Sequence, residues 1–133
     1  MDWYFAALKK YSRFRGRARR KEYWLFNLFN SLIIITLLIA YYSLSFFALY
    51  NSHLLPFHLL PLLYWFFNLI YLVYILGTII PSFAVLVRRL HDTGKSGWWY
   101  FILLIPIVGF VALLVSLCED SQPGTNQYGA NPK

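Results

Sequence analysis

The sequence predicts an all-α integral membrane protein, a bundle of three transmembrane helices with a short N-terminal interfacial helix. Two long runs without charge carry this prediction: residues 23–87 and residues 96–118 contain no Asp, Glu, Lys or Arg. A bilayer crossing needs about 20 mostly apolar residues, so the first run has room for two crossings and the second for one. The mean hydropathy of +0.53 and the 21% aromatic content agree with this class. At 133 residues the chain forms a single domain.

The first long run divides into two predicted transmembrane helices, residues 23–50 and 62–87. Pro56 and Pro61 lie between them, together with Asn51, His53 and His58. Proline removes a helical hydrogen bond and clashes with the preceding turn. We therefore expect a short uncharged loop at 51–61.

The third predicted transmembrane helix comprises residues 98–118. Twenty-one residues span about 31 Å at the helical rise of 1.5 Å per residue, which suits one crossing of a hydrocarbon core about 30 Å thick. Pro106 and Gly109 interrupt this segment, so a re-entrant hairpin turning at Ile107 and Val108 stays open as an alternative. A single crossing places the polar tail, residues 119–133, outside the cell, whereas a hairpin places it inside.

Residues 1–22 form a basic segment at the N-terminus. Residues 2–11 are expected to lie in the membrane interface as a short helix, with apolar residues on one face. Residues 12–22 follow, and we call them the basic collar. Glu22 is three residues after Arg19, a spacing that permits an exposed ion pair of little energetic consequence.

The distribution of charge predicts the orientation in the membrane. Eleven of the twelve basic residues lie between Lys9 and Lys21 or between Arg88 and Lys95. Basic residues collect on the cytoplasmic side of membrane proteins, so the N-terminus and the predicted loop at 88–97 are expected to face the cytoplasm. This membrane orientation also accounts for the net charge of +7. We therefore do not expect nucleic acid as a partner.

Basic side chains are also the candidate site, because arginine and lysine near a membrane surface attract anionic lipid. In the predicted loop the start of the third helix adds free amides that favour an anion. There Asp92 is expected to orient its neighbours; the alternative is a loop held by an ion pair from Asp92 to an arginine, with nothing bound. The candidate headgroup or anion ligands are Arg13, Arg15, Arg17, Arg19, Arg20, Arg88, Arg89, His91 and Lys95.

Three indole side chains, Trp24, Trp98 and Trp99, are predicted interfacial anchors, because tryptophan concentrates at the headgroup level. Inside the predicted crossings the polar residues Asn27, Asn30, Asn68 and Thr78 are expected to form hydrogen bonds between helices. No charged residue lies within these crossings. Ion-coupled transporters more often have a charged residue within the membrane. No set of ligands for a metal or cofactor is evident.

Four segments resemble those of one known family. They are FRGRARRKEYW at 14–24, RRLHDTGKSGWW at 88–99, LIPIVG at 104–109 and PGTNQYGANP at 123–132. In this order they resemble the signature segments of the domain of unknown function 805 family, which are small bacterial inner-membrane proteins. The resemblance implies the bacterial cytoplasmic membrane as the location, and it implies no reaction.

The leading functional interpretation is a non-enzymatic membrane protein that binds anionic lipid or a membrane partner through its basic cytoplasmic face. A homo-oligomeric channel or transporter subunit is an alternative. A third possibility is a membrane enzyme that uses His91 and the adjacent Asp92.

Overall fold

The computed structural model describes residues 13–50 and 59–132 and contains three α-helices and one 3-10 helix in that part of the chain. Helix α1 is Arg20–Tyr50, α2 is Leu59–Asp92, the 3-10 helix is Gly97–Leu104 and α3 is Val108–Cys118. The all-α prediction is confirmed. The predicted interfacial helix at 2–11 and most of the predicted loop at 51–61 fall outside the described residues.

Helices α1 and α2 are both long and apolar enough to cross a membrane, and most of their apolar side chains are exposed. An exposed apolar surface of this extent suits lipid rather than water. The chain divides into two compact units, one made of residues 28–79 and the other of the remaining described residues.

In the unit of residues 28–79, hydrogen bonds link α1 to α2: the hydroxyl of Tyr74 donates to Asn30 Oδ1 over 2.7 Å, and Tyr41 forms side-chain hydrogen bonds with Tyr64 and Asn68. Two of the polar side chains also form local bonds. The amide of Asn68 and the hydroxyl of Thr78 each donate to a carbonyl one turn earlier in α2. A local bond satisfies a polar group in lipid without any partner helix.

The segment 98–118 folds as a hairpin, which is the alternative to a single third crossing that the sequence left open. The 3-10 helix and α3 pack against each other, and the chain reverses at Ile107, whose φ is +64°. Gly109 makes this packing possible, because a Cβ there would overlap the carbonyl oxygen of Ile102. Pro106 has no amide proton with which to continue a helix. Neither arm of the hairpin reaches the roughly 20 residues of a crossing.

The predicted loop at 88–97 is also different, because α2 continues as a helix to Asp92. Only residues 93–96 connect it to the 3-10 helix. Charges in hydrocarbon are costly, and the last turn of α2 carries Arg88, Arg89 and Asp92. We therefore keep the predicted membrane-spanning part of α2 at 62–87, and the last turn extends beyond it.

Two small apolar clusters stabilise the unit made of residues 13–27 and 80–132. Phe26 of α1 packs with Ala18 of the basic collar and Val85 of α2. Leu86 and Leu90 pack with two leucines of α3. The amide of Ala18 also donates to the carbonyl oxygen of Arg88 over 3.0 Å. The basic collar, the end of α2 and the hairpin are thereby fixed to one another.

Candidate functional site

Asp92 is the centre of a buried polar cluster at the end of α2. Its Oδ1 accepts from Arg17 Nε over 2.9 Å, and its Oδ2 accepts from Arg89 Nη1 and from the hydroxyl of Ser121. The side chains of Arg17, Arg89 and Asp92 are at most 1% exposed. Two cations and one hydroxyl thus satisfy the carboxylate, as a buried charge requires.

Arg17 also binds the polar tail through backbone carbonyls. Its guanidinium donates to Gln122 O over 2.6 Å and to Gly124 O over 2.9 Å. In the opposite direction, the backbone N–H of Gln122 donates to the backbone carbonyl oxygen of Asp92 over 3.0 Å. The planar guanidinium can serve several acceptors at once. Arg17 therefore connects the basic collar, α2 and the tail.

Arg88 forms a second buried ion pair, with Glu22 of α1. Arg88 Nη1 lies 3.0 Å from Glu22 Oε1, and both side chains are at most 7% exposed. The sequence spacing permitted an exposed pair between Glu22 and Arg19, but the Glu22 side chain is buried against Arg88. Since Arg88 Nη2 has no hydrogen-bond partner among the described residues, the cluster is not fully satisfied.

Arg89 is bound on three sides by groups of its own chain. Besides Asp92, it donates to the carbonyl oxygens of Leu117 and Glu119. Since the guanidinium is buried, the contacts favour the ion-paired loop that the sequence left as the alternative. They do not favour an anion held between Arg88 or Arg89 and the start of the 3-10 helix at Gly97.

The remaining basic side chains lie at the surface. Arg20 pairs with Asp120, and Lys95 pairs with Glu119, in bridges that are partly exposed. Arg19 is half-buried. Arg13, Arg15 and Lys21 are exposed, and no acidic partner is found for them among the described residues. These three cations are therefore available to an anionic surface.

His91 contacts both the basic collar and the tail. Its Nδ1 is 3.3 Å from the carbonyl oxygen of Gly16, a contact that requires the proton on Nδ1. Its ring stacks on Tyr128, with centroids 3.7 Å apart and planes at 4°. Burial lowers the pKa of His91 from 6.5, and the bond to Gly16 partly opposes this shift. The ring is therefore held as neutral imidazole near pH 7.

The predicted tryptophan anchors differ in their surroundings. Trp98 is 78% exposed and Trp24 is 43% exposed. Trp99 instead donates its Nε1–H to Ser116 Oγ of α3 over 3.2 Å. Trp99 thus helps to close the hairpin as well as facing outward.

The part that the tail plays in this cluster was not predicted from the sequence. Ser121, Gln122 and Tyr128 reach Asp92, Arg17 and His91, although the tail reads as a polar strip without a core. The signal available beforehand was Tyr128, one aromatic residue in a segment of Gly, Pro and Asn. Among residues 13–50 and 59–132, no group of three or more His, Cys, Asp or Glu side chains could hold a metal ion.

Comparisons with known proteins identify a family and similar membrane proteins. The family described as "Protein of unknown function (DUF805)" matches residues 11–130. Inner membrane protein YhaI of Escherichia coli strain K12 is 37% identical over all 133 residues, which cover 97% of that protein. Inner membrane protein YhaH of the same strain is also 37% identical over the whole chain and 98% of its own length. No solved structure matches.

Proposed function

Since this chain belongs to the DUF805 family, whose relatives here are named inner membrane proteins, we propose that it is a bacterial inner-membrane protein that binds anionic lipid. In this proposal it crosses the membrane more than once, has no catalytic activity, and binds headgroups through exposed cations of the basic collar on the cytoplasmic side. A membrane-protein partner or a second copy could use the same face.

The observation that carries the proposal is the division of the basic residues into two sets. Arg17, Arg88 and Arg89 are buried and bound to carboxylates of the chain. Arg13, Arg15 and Lys21 are exposed without an acidic partner among the described residues. Cations that serve only the fold would be expected in the first set. The cations of the second set can bind an anion that is not part of the chain.

The position of these cations suits the membrane surface. Lys21 lies in the first turn of α1, next to the start of the apolar run at residue 23. The negative surface potential of the cytoplasmic leaflet attracts each such residue by about 1 kcal/mol. Three exposed cations at that value give about 3 kcal/mol, or on the order of a hundredfold preference for anionic lipid.

The arrangement of the tail supports a cytoplasmic location for all of these parts. Because 98–118 is a hairpin, the tail returns to the same end of the unit as the basic collar, where Arg17 binds it. Basic residues favour the cytoplasmic side of the membrane, so in this proposal the tail lies there together with the basic collar.

The experiment compares quenching of tryptophan fluorescence by brominated phosphatidylglycerol and by brominated phosphatidylcholine in reconstituted vesicles. The test variant is Arg13→Gln with Arg15→Gln and Lys21→Gln. We expect the triple variant to have at least a tenfold weaker preference for the anionic lipid than the natural sequence. The difference between the two proteins should shrink as the salt concentration rises, because salt screens exposed charges.

The matched control is Arg20→Gln with Lys95→Gln, which removes two cations that already have carboxylate partners. This control should keep most of the preference. If the triple variant retains the preference of the natural sequence, the basic collar serves topology alone and the proposal is wrong.

A further inference from the structure

An apolar groove lies beside the basic collar, between it, the end of α2 and the 3-10 helix. Its volume is about 800 Å³, and its walls are almost entirely apolar. Phe14 of the basic collar forms one side, and Phe83 and Tyr100 form another, in edge-to-face contact at 5.0 Å. Pockets for small molecules typically have volumes of about 300–1,000 Å³.

The groove has a polar part as well as its apolar walls. His91 and Ser96 line it. With the proton of His91 on Nδ1 and bound to Gly16 O, Nε2 can only accept a hydrogen bond, and no partner for it is found among the described residues. The Ser96 side chain is exposed and forms no capping bond. The groove thus offers one acceptor and one hydroxyl within a surface that otherwise suits hydrocarbon.

Two exposed cations neighbour a groove-lining residue in the sequence. Phe14 lines the groove, and the residues on either side of Phe14 are the exposed cations Arg13 and Arg15. An occupant that satisfies all these features is an amphiphile with an apolar chain and an anionic head. In a membrane the abundant molecule of this kind is an anionic phospholipid.

We propose that this groove is a specific lipid site, which holds one acyl chain of an anionic phospholipid while Arg13 and Arg15 bind its phosphate. His91 Nε2 and the Ser96 hydroxyl face the polar region near the glycerol. The inference rests on the proposed preference of the basic collar for anionic lipid, and it adds a single bound molecule to that preference. Such a lipid differs from the surrounding bilayer because it occupies a groove with walls from the basic collar, the end of α2, the 3-10 helix and the tail.

The site can be tested by photo-crosslinking in vesicles made of equal parts phosphatidylglycerol and phosphatidylcholine. A trace of phosphatidylglycerol with a diazirine in its acyl chain is activated by light, and the labelled peptides are identified by mass spectrometry. We expect labelling concentrated on the segment from Phe83 to Phe101, and native mass spectrometry in detergent should show one retained phospholipid for each chain.

The test variant is Val87→Trp, which fills the groove from its α2 wall. The matched control is Val115→Trp, at an exposed position on α3 that does not line the groove. We expect Val87→Trp to reduce groove labelling at least fivefold and to lose the retained lipid, while Val115→Trp retains both. Phe14→Ala, which removes an exposed wall without breaking any hydrogen bond, provides a second test in case Val87→Trp folds poorly.

Equal labelling in Val87→Trp and Val115→Trp, with Phe14→Ala also unchanged, would overturn the inference. So would retention of a free fatty acid or a second copy of the chain in place of a phospholipid. These failures can be separated from failure of the proposed function. If the triple variant loses its anionic preference while the groove is not labelled, the basic collar binds lipid and the groove does not.

Discussion

Arg17 and Asp92 are 75 residues apart in the sequence, and they form a buried ion pair with 2.9 Å between Arg17 Nε and Asp92 Oδ1. The pair joins the basic collar to the end of α2, and through the other nitrogens of Arg17 it also binds the polar tail. One arginine of the basic collar thus stabilises the fold, while its neighbours Arg13 and Arg15 remain exposed.

The first prediction concerns this pair. Arg17→Gln should lower the free energy of unfolding by about 3 kcal/mol, the lower end of the cost of breaking a buried ion pair, because Arg89 still neutralises Asp92. The tail should become sensitive to protease in detergent at the same time. Arg15→Gln is the matched control and should melt like the natural sequence. Equal melting of both variants would show that the pair does not hold the tail.

The second prediction concerns the two ion pairs of Asp92. Asp92→Asn and Arg89→Ala should each lower the melting temperature in detergent, since the first leaves two buried arginines without their carboxylate and the second leaves Asp92 with one of its two cations. Neither variant should change the anionic lipid that co-purifies, because Arg89 is bound by groups of its own chain. Loss of bound anion in Arg89→Ala alone, with Asp92→Asn retaining it, would instead restore the anion site at the end of α2.

The third prediction concerns the hairpin. Gly109→Ala should cost about 3 kcal/mol, the upper end for an overpacked site, because its Cβ would overlap Ile102 O. Gly77→Ala is the control: a Cβ there meets no atom within 4 Å, and alanine favours a helix interior by about 1 kcal/mol. The melting temperatures of the two variants should therefore move in opposite directions. A tolerated Gly109→Ala would contradict the close packing of the hairpin.

The fourth prediction concerns the side of the membrane on which the tail lies. Single cysteines at Ser96 and at Thr125, in a Cys118→Ser background, should both resist a membrane-impermeant thiol reagent in intact cells and both react after permeabilisation. Thr125 is exposed, whereas Ser121 is buried against Asp92 and would be a poor reporter. Labelling of Thr125 but not Ser96 in intact cells would show that the segment 98–118 crosses the membrane.

The fifth prediction concerns pH. Burial lowers the pKa of His91 from 6.5, so the folded state binds this proton less tightly than the unfolded state. Its contribution to stability is therefore fully present above pH 6.5 and is lost as the pH falls through that value towards the lowered pKa. The melting temperature should fall between pH 7.5 and 5.5 more steeply for the natural sequence than for His91→Gln. Parallel curves would show that His91 does not contribute.

The sequence by itself determined that the chain is helical and that two of its helices are long enough to cross a membrane. It could do so because the length of an uncharged apolar run is a local property, and the run at 23–87 far exceeds what a soluble core requires. The segment 98–118 was harder to assign from length alone. Pro106 and Gly109 could have marked a bend in one crossing or a reversal, and these alternatives differ in packing, not in composition.

Which charged side chains are buried can be seen only in the tertiary structure. Arg13 and Arg17 belong to the same basic collar and look alike in the sequence, but Arg17 meets Asp92, and Glu22 meets Arg88 across 66 residues. A buried ion pair depends on two side chains that folding brings together, and no local pattern records its partner. The hairpin makes this possible, because its reversal at Ile107 returns the tail to Arg17 and completes the cluster around Asp92.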